Sequence, residues 1–78
     1  MIVTYLQCRA ARELLQWSRS DVEKKAGISR STLADFERGT RNLTIDSFKK
    51  ILSTFEKAGI EFINDEKGKG VRLNKKQK

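Results

Sequence analysis

Residues 17–39, WSRSDVEKKAGISRSTLADFERG, carry the reading that decides the fold. Ser18 with Asp21 three positions on is a capping-box pattern. Hydroxyl and carboxylate each satisfy a backbone N–H at a helix start, and the acid sits at the positive end of the helix. The helix this opens runs through Val22 and Ala26 and stops at Gly27, which takes the left-handed conformation that a sharp exit requires. Ser29 caps a second helix, its hydroxyl accepting from the amide of Ser31 or Thr32. Leu33 and Phe36 fall three apart on the inner side, and Gly39 ends the helix. This second helix spans about Ser29 to Arg38.

Two short helices joined by a glycine-containing turn make a helix-turn-helix arrangement, which projects the second helix as a ridge that fits a DNA major groove. Val22, Ala26, Leu33 and Phe36 hold the helices at a fixed angle, and Arg30, Ser31, Ala34 and Asp35 are left facing outward. Spacing alone also suits a plain helical hairpin in a small bundle.

Working outward towards the N-terminus, Thr4 to Trp17 reads as an amphipathic helix, with Cys8, Ala11 or Arg12, and Leu15 at helical spacing. On the other side, Thr40 to Leu43 is a polar loop. Thr44 then caps a fourth helix whose Ile45, Phe48, Ile51 or Leu52, and Phe55 face inward until Gly59 closes it. Ile60 to Ile63 and Val71 to Leu73 are short β-prone stretches separated by the turn-forming NDEKGKG, residues 64–70. A hairpin with a loop longer than the two-residue kind is the simplest reading. Two isolated strands are marginal in water, so they should pack on the helices, pair with a second chain, or both. Residues 74–78, NKKQK, read as a basic disordered tail. The fold class is thus mainly α, four helices followed by a β-strand pair. The organisation is a DNA-binding unit over 1–59, a hairpin and dimerisation segment over 60–73, and the tail.

Composition narrows the function classes. Seventeen Lys and Arg against ten Asp and Glu give a formal charge of +7, which favours a polyanionic partner. The longest apolar runs are two or three residues, and MIVTYL at residues 1–6 lacks the marks of a signal peptide, so no membrane partner and a cytoplasmic location are expected. The basic residues are spread over all the helices, unlike the single polar face of a membrane-surface peptide. One cysteine and no histidine exclude an internal disulfide and a structural zinc site, and they remove the usual pairing of nucleophile with imidazole base. No catalysis, metal or cofactor is expected. Cys8 reads as a small buried hydrophobe rather than a redox switch. Trp17 reads as a core or rim residue, and Tyr5 as a candidate to pack on the hairpin.

The stretches QCRAARELLQWS, AGISRSTLADFERG and the helix beginning TIDSF resemble the Cro/repressor family of helix-turn-helix regulators, also called XRE-like or λ-repressor-like. The resemblance covers about Gln7 to Ala58. It implies that Ser29, Arg30 and Ser31 read base edges, with Thr32 nearby and Asp35 one turn later. Arg30 suits O6 and N7 of guanine. Asp35 either accepts from the amino group of cytosine or orients Arg30 or Arg38. The resemblance also implies that Arg19, in place of the family's usual Gln, and Ser18 meet a phosphate at a helix N-terminus, and that Arg41 and Asn42 touch the backbone across the groove. Arg12 and Glu37 match the family's structural ion pair. Glu23 departs from the family's Ala, so either the helices splay or Glu23 turns outward to pair with Lys24, Lys25 or Arg30.

The implied function is a sequence-specific transcriptional regulator, a repressor in the first place, bound as a homodimer to a palindromic operator. The preferred dimer contact is the strand region 60–73. The alternative is an antitoxin that binds its own promoter and a partner protein.

Overall fold

The computed structural model describes residues 3–74. Four helices, α1 (Tyr5–Leu14), α2 (Arg19–Ala26), α3 (Arg30–Glu37) and α4 (Ile45–Lys57), precede two antiparallel strands, β1 (Ile60–Asp65) and β2 (Gly68–Leu73). This is the mainly helical domain with a strand pair that the sequence implies.

Each helix start is written in a hydroxyl side chain. Thr4, Ser18, Ser29 and Thr44 are the four N-caps, accepting from the amides of Gln7, Asp21, Thr32 and Ser47 respectively. Thr4–Gln7 and Ser18–Asp21 are full capping boxes. Exits are equally local. Gly27 caps α2 at φ 75°, and Gly39 follows α3 at φ 79°.

The first helix is shorter than its apolar periodicity suggests. It ends at Leu14, Leu15 is its C-cap, and Trp17 lies outside it. Gln16 turns left-handed at φ 58°, and the Gln16 and Trp17 amides donate back to the carbonyls of Glu13 and Arg12. This is a Schellman exit with Gln where Gly is usual.

One core joins the four helices and β1, with Val71 of β2 packed against it. Cys8 and Ala11 of α1, Val22 and Ala26 of α2, Leu33 and Phe36 of α3, Ile51 and Phe55 of α4, and Ile60 and Phe62 of β1 are buried together with Val3 and Ile28. Trp17 stacks on Phe55, centroids 6.0 Å apart, as a rim residue with the Lys25 ammonium 5.1 Å above its ring. Ile45 does not join them. The first residue of α4 points away and is 75% exposed, which corrects its inward assignment.

The hairpin also differs from expectation. The ladder continues to Asp65↔Gly68, leaving only Glu66 and Lys67 as the loop. Polar residues of the 64–70 stretch serve as strand because they lie at an exposed end. Asn64 pairs with Lys69 side chain to side chain, and Gly68, at φ 143°, takes a conformation that a side chain would resist. The hairpin is tied to the helices by Gln7, whose buried amide donates to the carbonyls of Ile63 and Gly70, each at 2.9 Å. Tyr5 instead packs edge-on against Phe36 and over Gly39, because its position on α1 faces α3. The tail expected over 74–78 lies outside the described residues except for Asn74, whose N–H donates to the Gly59 carbonyl. No helix among the described residues is long and apolar enough to cross a membrane.

Candidate nucleic-acid interface

The angle between α2 and α3 is set by a buried seam. Val22 and Ala26 meet Leu33 and Phe36 with Ile28 between the helices, all nearly excluded from solvent. Behind that seam, Glu37 is 1% exposed yet charged, and two arginines hold it. Arg12 grips both carboxylate oxygens, Nε–Oε2 at 2.8 Å and Nη2–Oε1 at 3.0 Å, and donates through Nη1 to the Trp17 carbonyl. The bond to Glu37 holds the Arg12 pKa above its ordinary value against the opposing effect of burial. Arg19 adds a third bond, Nε–Oε1 at 3.0 Å. The Arg12–Glu37 pair is as the resemblance implies. The Arg19 contact is additional, and no spacing in the sequence signals it. It ties the start of α2 to the end of α3.

On the outer side, Arg30 and Ser31 are exposed, and Thr32 and Asp35 half-exposed, on one stretch of α3. Ser29 spends its hydroxyl on the cap, accepting from the Thr32 amide and donating to the Thr32 Oγ1 at 2.9 Å. Arg30 leans towards α2, where Glu23 meets its Nε at 3.0 Å. Of the outcomes open for Glu23, outward pairing with Arg30 is therefore the one realised, and the seam is not splayed. Asp35 pairs with Arg38 and, at 3.7 Å, with Arg41. This is the arginine-orienting arrangement considered for it. Arg41 and Asn42 are exposed just beyond.

Ser18 and Arg19 sit together at the α2 N-terminus. The Ser18 hydroxyl and amide are both engaged with Asp21, at 3.0 and 2.8 Å. These bonds to Ser18 hold the Asp21 carboxyl below its usual range, so it stays ionised and places a negative charge at the start of α2. Arg19 retains 43% exposure of its side chain alongside. The face is therefore basic but partly compensated, its arginines pre-oriented by Glu23, Asp35 and Glu37. A base edge or a phosphate would compete for them by replacing one charge-assisted bond with another.

Residues 9–62 match the helix-turn-helix family. Among curated proteins, similarity extends to antitoxin HipB of Escherichia coli strain K12, 35% identical over 48 residues covering 62% of this chain and 54% of the relative. Antitoxin HipB of Escherichia coli O6:H1 strain CFT073 is 33% identical over 48 residues, with coverage of 62% and 51%. The chain spans about half the length of these relatives. With capped α2, the Gly27 turn, the buried seam and an outward α3 all in place, this chain belongs to the Cro/repressor, XRE-type, helix-turn-helix family of DNA-binding regulators.

Proposed function

We propose that the chain is a sequence-specific transcriptional repressor that binds a near-palindromic operator as a homodimer, with α3 in the major groove, and that it acts in the cytoplasm on nucleoid DNA. The observation that carries this is the α2–α3 pair itself: a buried seam fixes the helices while Arg30 and Ser31 stand exposed at the start of α3. In this reading Ser29, Arg30, Ser31 and Thr32 approach base edges, and Arg30 is the main determinant, exchanging Glu23 for guanine. Asp35 contributes by aiming Arg38 and Arg41. Arg19, Arg41, Asn42 and Ser18 lie against the sugar-phosphate backbone.

Selection of bound sequences from a random DNA pool tests it. Enrichment of a palindrome with guanine under Arg30 is the expected result, and recovery of no sequence at moderate salt overturns it. Arg30→Ala should cost about 1–3 kcal/mol on the enriched site and relax preference at one base pair, whereas Arg41→Ala should lower the salt slope by about one unit with little change in preference.

The names of the two relatives favour a second reading, an antitoxin that also binds a partner protein. Copurification of a partner encoded beside the chain, with loss of its toxicity on coexpression, distinguishes the two.

A further inference from the structure

The exposed face of α1 is apolar where solvent would favour charge. Leu6 is 58% and Leu14 45% exposed, with the small Ala10, also exposed, midway between them. Spaced four apart, the three form one stripe. Arg9 and Glu13 flank it on one side, 3.6 Å from each other. On the hairpin side, Leu6 and Ala10 line a groove of about 250 Å³ closed by Lys69 and Gly70 of β2.

We propose that this face binds a second copy of the chain, α1 against α1 and antiparallel about a twofold axis near Ala10. The proposal rests on the homodimer reading above and supplies the contact. The pattern is self-complementary. A twofold at Ala10 sets Leu6 against the partner's Leu14 and lets the small residue bring the backbones close. It also places Arg9 beside the partner's Glu13 on the shared flank, since residues on one flank of an antiparallel pair meet their own kind. Ten residues of helix are only about 15 Å long, too little alone for the ~800 Å² per partner of a stable dimer. The groove continues the contact onto β2, so the hairpin flank forms part of the same interface.

The orientation also suits DNA. At about 100° per residue, Arg12 and Tyr5, which face α3, lie roughly 140–160° round α1 from Ala10. Each α3 therefore sits on the far side of its own α1. Three helix-to-helix steps of about 8–10 Å separate the two reading helices by about 24–30 Å, near the ~34 Å between half-sites.

Sedimentation equilibrium of the full chain tests it, with circular dichroism melts confirming that each variant folds. Arg9→Glu and Glu13→Arg should each weaken the dimer at least about tenfold by setting like charges together, and an equimolar mixture of the two should recover it as a heterodimer. Leu14→Lys should leave a folded monomer. A monomeric wild type at ~100 μM, a concentration at which a weak micromolar dimer would be almost fully formed, or unchanged association in the charge variants, overturns the proposal. A palindrome selected from random DNA while these variants stay dimeric sinks the α1 contact and leaves the DNA reading standing. The converse pattern, variants behaving as expected with no DNA sequence enriched, sinks the DNA reading and leaves the contact.

Discussion

Glu37 shows how much a single buried charge organises. It is almost wholly enclosed, and two arginines of unequal exposure satisfy it, Arg12 at 12% and Arg19 at 43%. The two arginines should therefore be unequal and non-additive. Arg12→Ala should cost about 2–4 kcal/mol, because Glu37 keeps only the screened partner, and Arg19→Ala about 1 kcal/mol or less. The double variant should exceed their sum, since it leaves a buried carboxylate with neither cation. A double-mutant cycle from urea melts reads this directly; simple additivity would mean that the two arginines hold the charge independently of each other.

Cys8 makes a second prediction at this scale. Burial, with a smaller effect from the Glu37 charge, pushes its thiol up to about 12. The native thiol is thus neutral and inaccessible, and a thiol reagent at pH 8 should modify it only at the rate of global unfolding. Because the native pKa is raised, the associated stability is present below about pH 9 and is lost as the unfolded chain ionises between there and about 12. Chemical denaturation at pH 8 and pH 10 should show a smaller alkaline loss in Cys8→Ala.

At the scale of elements, the helix exits separate cheap from costly backbone. Gln16 holds a left-handed conformation that glycine adopts without steric cost, so Gln16→Gly should raise stability by a few tenths to about 1 kcal/mol, net of the added chain entropy. Gly39 is the reverse case. A Cβ there would lie 2.7 Å from Cζ of Tyr5, in addition to the strain at φ 79°. Gly39→Ala should therefore cost about 2 kcal/mol or more, partly relieved in a Tyr5→Ala background, which is measurable by paired thermal melts. The capping box of α2 adds a pH dependence. With the Asp21 pKa depressed in the fold, its contribution is present above the ordinary carboxylate range and is lost as pH falls through and below about 4. Asp21→Asn should flatten that part of the acid melt.

At the scale of the whole molecule, the hairpin and helices share one core. Ile60 and Phe62 lie in the same core as Phe55, and Phe55 and Phe62 meet edge-on at 6.3 Å. The Gln7 amide bridges to carbonyls of both strands. Strand amides should exchange with solvent at the same free energy of opening as those of α4. Gln7→Leu, which abandons two carbonyls, should lower global stability by about 1–3 kcal/mol. Strand amides that opened well before α4 would show the hairpin to be a separate appendage.

Much of this was legible from residue order. Hydroxyl caps and glycine exits act within a few residues of chain, so Ser18, Gly27, Ser29, Gly39 and Thr44 mark α2, α3 and the start of α4 without any knowledge of the rest. The 3.6-residue spacing of Val22, Ala26, Leu33 and Phe36 likewise identifies the seam, because helix periodicity is a local property. What local order left open was decided by contacts distant in sequence. Tyr5 goes to Phe36 and Gly39 and Gln7 to the hairpin according to where α1 lies on the fold. Glu23 selects Arg30 over Lys24 and Lys25 because the α2–α3 angle brings it there. Ile45 is left in solvent because the axis of α4 turns its first residue outward, and Arg19 reaches Glu37 across eighteen residues. These choices depend on the relative placement of helices, which arises only when the one shared core closes and which no window of sequence contains.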